Sequence, residues 1–418
     1  MENNNRILVL GGNLPHVNVV NMLNKLGYYT IVFDYNENPP AREVADHFER
    51  ISITDREAVL DGAKKLHINR IVNCCNDYAI PVCAFVSEQL NLPCVIDYNT
   101  ALDCTDKARM KEVFVKNGIG TSRFQKIVDK ETPQIEIKYP VVVKPVDASG
   151  SKGIRKVDKE ELLTESVSFA FSQCVYKKEV IIEEFIEGDE FQVDCDVCDG
   201  EVNIVLIRMK PKFKRNEISS CVGSLISPEL FDNNYMVFKR IAESLSKSFH
   251  ITNNTFFFQL IKNCETVNVI ELGIRVGGGW SYKIIKDVTG CDFLRLSLLS
   301  QLGIKKHDHY HRPTKYCHTS FLFAKKGCFN NIIGLEELAN EGVIDSYQVF
   351  QKNGSFIDGI ITNKNRVAIY MISSISKDGL IEKINKAIHS VDIVDNNNKS
   401  IFDRSMYDSF ICDLPILL

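Results

Sequence analysis

Three stretches far apart in the chain hold side chains that together suit a metal-bound polyphosphate. In "PVVVKPVDASGSKGI", Lys144 ends an apolar run and Lys152 follows inside a Gly/Ser segment. A strand ending in lysine, then a loop of glycines and hydroxyls, then a second strand can hold phosphates. Lysine supplies point charge, and loop amides and hydroxyls supply donors. This is not a Walker-type loop, because G-x-x-x-x-G-K-[ST] is missing and a strand follows. A solvated surface hairpin would have similar composition. In "IIEEFIEGDEF", Glu183 and Glu184 precede Gly188 and Glu190. Such a strand-to-strand hinge can offer backbone groups to an adenine edge and a carboxylate to ribose hydroxyls; an exposed acidic turn would look alike. In "FFFQLIKNCETVNVIELGIRVGGG", two apolar strands form a hairpin that sets Gln259 beside Glu271. Oxygens there can bind Mg²⁺. Arg275 can then neutralise charge developing on a transferring phosphoryl group. Gly273 falls on the same side of its strand as Glu271 and Arg275, yet offers no ligand.

These groups need elements to hold them. "RILVLGG" reads as a strand, "HVNVVNMLNKLGY" as a helix, "YTIVFDY" as a strand, "REAVLDGAKKLHI" as a helix, "NRIVNCC" as a strand, "AIPVCAFVSEQLN" as a helix and "LPCVI" as a strand. This alternation predicts an α/β unit with a doubly wound parallel sheet over about 1–105. The glycines of "LGGNLPHVN" close its first strand, but G-x-G-x-x-G is absent, so a dinucleotide site is disfavoured. A tight turn whose amides face a small anion fits better. "TALDCTDKARMKEVFVKNGI" reads as one helix with a Thr/Asp start and a glycine stop. The region 106–305 then mixes strands and helices, with a lid at about 122–187. Residues 306–418 read as a small α+β module with strands in "HTSFLFAKKG" and "NRVAIYMISSI" and a helix in "DGLIEKINKAIHS".

Bulk properties narrow the function. The 418 residues suffice for two or three domains. A formal net charge of −4, with no clustered basic excess, argues against nucleic-acid or anionic-membrane partners. No apolar run approaches a membrane span, and the N-terminus lacks the basic region of a secretion signal. The 14 cysteines are scattered, as expected for a reduced cytoplasmic protein. Cys195 and Cys198 sit in a strand pattern on opposite faces, which disfavours a metal or redox pair. His307, His309 and His311 fall in a polar connector rather than a metal site.

Taken in order, the motifs resemble the ATP-grasp superfamily. "VVVKPVDASGSKGI", "IIEEFIEGDEF" and "VIELGIRVGGG" match its three nucleotide-site motifs, and "DKARMK" matches the opening of its central domain. The N-terminal unit, with "TIVFDYN" and then Ala45 and Asp46, looks like a pre-ATP-grasp domain. The resemblance implies an ATP-grasp fold over about 1–305 with a C-terminal module. It places Lys107 and Lys144 on the ATP phosphates, and Ser149, Gly150, Ser151, Lys152 and Gly153 in a mobile loop over them. Glu183, Glu184 and Ile186 would form the adenine hinge, and Glu190 would take the ribose. Glu271 would bridge Mg²⁺ (or Mn²⁺), and Arg275 would steady an acyl phosphate. Two positions depart from the common pattern. Gln259 stands where many members carry Asp or Glu, although carbamoyl-phosphate-synthase-like members share it. Gly273 stands where most carry Asn.

The resemblance is closest to stand-alone carboxylate–amine ligases, including L-amino-acid ligases. It implies that a carboxylate attacks ATP to give an acyl phosphate and ADP, and that an amine then displaces phosphate. Lys144, Lys152, Mg²⁺ and Arg275 would offset charge, and loop closure would exclude water. Small carboxylate and amine substrates, amino acids among them, are the expected partners, with homodimers common in the family. The substrate pocket is expected near Gly11, Gly12 and His16. Its roof would be "RMKPKFKRNEISSCVGSLISPEL", where Lys210 and its basic neighbours Arg208, Lys212, Lys214 and Arg215 form either a carboxylate-binding loop or a solvated face. Gly277 and Gly278 would let backbone approach the substrate. Two other readings stay open: an enzyme working through carboxyphosphate or another small acyl phosphate, and an inactive ATP-binding regulator.

Overall fold

The first apolar run becomes the strand Arg6–Leu10, flanked in parallel by Tyr29–Phe33 and Arg70–Val72, with His47–Glu49 at the far edge. All of Ile7, Leu8, Val9 and Leu10 are buried, because helices cover both faces. Ile7 and Val9 pack with Val19, Val20 and Leu23 of the helix Leu14–Lys25. Leu8 and Leu10 pack with Val59 and Val82 of the helices Arg56–Lys65 and Ala79–Gln89. A continuous apolar strand is what a parallel sheet buried on both faces requires. The structure is a computed structural model that describes residues 5–128, 133, 135–213, 221–304, 309–360 and 365–418. Lys214, Arg215 and His307 lie outside the described residues.

Two local expectations are corrected. "LPCVI" forms no strand: the Leu92 amide folds back onto the Ser87 carbonyl at 2.8 Å, and Pro93 has no amide to give a ladder. The single helix expected through "TALDCTDKARMKEVFVKNGI" is two, Tyr98–Asp103 and Lys107–Lys116. Asp106 divides them by capping the second, its carboxylate accepting from the amides of Ala108 and Arg109. The Lys107 amide donates to the Val146 carbonyl at 2.9 Å, so the helix start is also tied to the residue after the strand Val141–Pro145.

The lid is an antiparallel sheet in the order Phe124–Ile127, Val180–Glu184, Val141–Pro145, Arg155–Val157. It has its own core, in which Val141, Val143, Val180 and Ile182 meet Val167 and Ala170 of the helix Leu163–Ser172. The central sheet has eight strands, in the order Val267–Gly273, Asn254–Lys262, Asp189–Cys198, Glu201–Met209, Gly223–Ile226, Tyr316–Phe323, Arg366–Ser374, Ser346–Val349. It runs through the boundary expected at 305/306, since Ser224 pairs with Thr319 and Ser320 with Tyr370. The C-terminal strands thus extend the central sheet rather than forming a separate body. A last helix, Asp408–Leu417, closes the chain; no sequence signal had marked it. Its Phe410 ring stacks on His318, with centroids 5.0 Å apart. Cys195 is buried and Cys198 partly exposed, and all 14 cysteines are free thiols. Among the described residues, no three His, Cys, Asp or Glu side chains are arranged to hold a metal ion, and no helix is long and apolar enough to cross a membrane.

His16 and His318 make stability depend on pH. Burial pushes His16 down to about 4, against an opposing pull from Asp34, and pushes His318 down to about 3. In the unfolded chain both titrate near 6.5. Below about 6.5 the unfolded state therefore takes protons that the folded state refuses, and stability is lost as pH falls toward 4. Urea unfolding at pH 7.0, 6.0 and 5.0 should show this loss, at up to about 1.4 kcal/mol per pH unit for each group. His318→Gln should flatten the slope over that window.

Candidate active site

The lid, the central sheet and the N-terminal unit meet around one cavity of about 1700 Å³. That exceeds a typical single-ligand pocket of about 300–1,000 Å³. At the lid end, Lys144 sits at the close of its strand with its ammonium 2.5 Å from Glu183. Glu183 faces Val142 across the lid sheet, so strand register alone brings the two side chains together. Lys111 reaches the same carboxylate at 3.2 Å, and the Ser122 hydroxyl donates to it at 3.0 Å. Burial alone would raise the Glu183 carboxyl, but the charges of Lys144 and Lys111 outweigh it and hold it below its usual range. Burial pushes Lys111 down to about 8 despite Glu183. Lys107 donates to the Ala148 carbonyl at 2.5 Å; burial depresses its ammonium, against the pull of Glu271.

Beyond Lys144 the chain turns through Gly150, Ser151 and Gly153, all at positive φ. Ser149, Gly150 and Ser151 line the cavity, whereas Lys152 and Gly153 do not. At the hinge, the Glu184 amide is taken by the Arg123 carbonyl at 2.9 Å and its carboxylate pairs with Arg123 on the surface. Ile186 lines the cavity, and its amide has no backbone acceptor among the described residues. Glu190 also lines the cavity but carries Lys212 at 2.5 Å.

In the central sheet, Gln259 pairs with Glu271 on one side and with Gln192 on the other. Both Gln259 and Glu271 face the cavity. Arg275 is held by both carboxylate oxygens of Asp77 and donates to the Val276 carbonyl at 2.7 Å. Burial would lower its guanidinium, but Asp77 outweighs that and raises it. Asp77 went unnoticed in the sequence. The signal was its place just beyond the strand Arg70–Val72, since ligands gather at the carboxyl ends of parallel strands.

Gly273 has a physical reason. It lies opposite Phe257, and a Cβ on it would come within 2.5 Å of the Phe257 ring. The ring fills the place a side chain at 273 would need, and the Arg275 guanidinium lies 5.0 Å from its centroid.

Other expected substrate residues fall elsewhere. Gly11, Gly12 and His16 do not line the cavity. The Gly11 amide donates to the Phe33 carbonyl and the Gly12 amide to Asp34, at 2.7 Å, so neither is available to an anion. Asn76, Asp77 and Tyr78 provide the N-terminal wall instead. Arg208 is fully buried against Asp194 at 2.7 Å and donates to Ser281, which makes it structural rather than part of a ligand loop. Lys210 and Gly278 do line the cavity; Gly277 packs against Gln192 and Ser281 and does not.

Comparison with known proteins now places this geometry. Residues 137–283 match the family described as the ATP-grasp domain, and the chain carries that domain within an ATP-grasp fold. Over 158 residues it is 32% identical to D-alanine–D-alanine ligase of Pediococcus pentosaceus, covering 35% of this chain and 43% of that one. Over 195 residues it is 30% identical to formate-dependent phosphoribosylglycinamide formyltransferase of Wolinella succinogenes, covering 45% and 49%. The chain spans less than half to about half the length of these curated relatives. Its fold is similar to that of L-amino acid ligase from Bacillus licheniformis, with TM-score 0.79 and 21% identity over 95% of this chain and 100% of that one. It is also similar to N5-carboxyaminoimidazole ribonucleotide synthetase from Thermotoga maritima, with TM-score 0.71 and 16% identity over 94% and 100%.

Three substitutions probe this architecture. Gly273→Ala should lower stability by about 1–3 kcal/mol through overpacking on Phe257, and a second change, Phe257→Ala, should remove most of that cost; thermal unfolding reads both. Glu183→Gln should leave Lys144 and Lys111 buried without a counter-charge and cost about 3–5 kcal/mol, measurable by denaturant unfolding at pH 7.

Proposed function

We propose that this protein is an ATP-dependent carboxylate–amine ligase that forms an amide bond through an acyl phosphate and releases ADP and phosphate. The observation that carries the reading is the Gln259–Glu271 pair, set by strand register on the wall of the cavity that Lys107 and Lys144 enter from the lid side. The Glu271 carboxylate has no ion-pair or hydrogen-bond partner among the described residues. One carboxylate and one amide suit Mg²⁺ (or Mn²⁺), which keeps several waters and takes further oxygens from substrate phosphates. Gln259 and Glu271 would hold such an ion, and when bound it supplies neutralising charge to phosphate oxygens. Gly273 adds no third ligand.

The chain's own residues account for the rest. Lys144, held by Glu183, and Lys107, held by Ala148, present charge where phosphates would lie. The Ile186 amide would donate to an adenine edge, and Glu190 would accept from the ribose once Lys212 yields. A substrate carboxylate would attack the γ-phosphorus, breaking its bond to the β–γ bridging oxygen. The amine would then attack the acyl carbon and lose a proton as phosphate leaves. Arg275, aligned by Asp77, would stand beside the developing oxyanion charge. Small carboxylic acids and amines, with amino acids foremost, fit the space left beyond the nucleotide.

Phosphate release, screened with paired carboxylates and amines plus ATP and Mg²⁺, tests the reading. Release only when both partners are present, together with an amide product by mass, is the expected result. Release with bicarbonate alone would instead support a carboxyphosphate enzyme. Glu271→Ala should reduce turnover at least 100-fold while leaving circular dichroism and thermal unfolding unchanged; an active variant would overturn the metal assignment.

A further inference from the structure

Among the described residues, six of the nine cations lining the cavity are paired with carboxylates. Arg56, Lys144, Lys156, Lys177, Lys212 and Arg275 each have a carboxylate within 4 Å. Three have none among the described residues. Lys107 is at the phosphate end. The other two, Lys210 and Arg366, lie together against the ring of Phe321. The Arg366 guanidinium carbon is 3.6 Å from the ring centroid, and the Lys210 ammonium is 5.8 Å from it. The Arg366 Nε is sealed from solvent and has no acceptor among the described residues. Burial pushes Arg366 down to about 10 and also depresses Lys210. Two like charges held partly out of water with no counter-ion are costly, and the cost falls when an anion arrives.

The backbone makes room for them. Gly279 has φ +65, and a Cβ there would lie 2.9 Å from Phe321 and 3.6 Å from Arg366. Any side chain at 279 would therefore press on this pair. Gly278, its neighbour, has open space around it and lines the cavity. Phe410 and Leu417 of the last helix add apolar surface to the cavity lining.

We propose that Lys210 and Arg366 form a binding site for an oxyanion group that a substrate carries in addition to the group that reacts, with Phe321, Phe410 and Leu417 taking an apolar part of the same molecule. The placement of the reacting end rests on the ligase reading; anion binding itself does not. The site selects acids: an amino acid entering here would be held by a carboxylate that survives in the product.

Isothermal calorimetry tests this with L-amino acids, their primary amides and O-phospho-amino acids as probes, titrated into the full chain with ADP and Mg²⁺ present. ADP–Mg²⁺ is titrated separately, so that failure of the nucleotide reading is visible independently. The expected result is that free acids bind at least tenfold more tightly than the matching amides. Arg366→Gln and Lys210→Met should each abolish that preference, with ADP affinity unchanged, and Arg366→Lys should keep part of it. Lys210→Met keeps the test valid if Arg366→Gln weakens the fold. Tighter binding of phospho-amino acids through the same two residues would identify a phosphate as the preferred group. Equal binding of acids and amides, a preference that survives in both variants, or no binding by any probe would overturn the proposal.

Discussion

A charge taken out of water is tolerated only when another charge or a set of dipoles replaces the water. That constraint organises this cleft. Glu183 is the clearest case: one carboxylate holds two lysines from different elements, one on the helix Lys107–Lys116 and one at the end of a lid strand. Asp77 does the same for Arg275, joining the N-terminal unit to the turn after the strand Val267–Gly273. Asp194 does so for Arg208 beneath the glycine turn, and through Ser281 the network reaches the Gly278 carbonyl at 2.6 Å. The pairs are the seams between units. The few charges left without partners mark where ligand oxygens would complete the set.

The pairings also divide labour among residues that look equivalent in the sequence. Glu183 and Glu184 are adjacent, yet strand alternation sends one to the interior lysines and the other to surface Arg123. Arg208, Lys210 and Lys212 alternate along one strand end. The first is locked to Asp194 and the third to Glu190, while the middle one alone faces the cavity unpaired.

Much of this was legible because its determinants are local. Lys144 at a strand end, the Gln259–Glu271 hairpin and the doubly wound first unit all follow from period-two and period-3.6 patterns within short windows. What escaped depends on contacts between distant residues. Asp77 meets Arg275 across 198 positions, and Arg366 reaches the cleft from a strand that reads as an ordinary edge of a tail module. The last helix, which contains Pro415, was not marked in the sequence. The continuity of the central sheet past residue 305 was hidden for the same reason, since strand order is not written in strand patterns. Gly273 looked like a lost ligand in sequence; only its cross-strand partner shows that Phe257 occupies the space.

The eight-stranded sheet has a mechanical consequence. Because Val267–Gly273 and Arg366–Ser374 belong to one hydrogen-bonded array, the wall bearing Glu271 and the wall bearing Arg366 form a single chassis. Their spacing cannot breathe without breaking ladder bonds. The lid has a sheet and core of its own, joined to the central sheet where the chain leaves Glu184 and enters Asp189. The span between the Gln259–Glu271 pair and Arg366 is set by the one sheet that carries all three. That span acts as a built-in ruler for the length of the molecule lying along it.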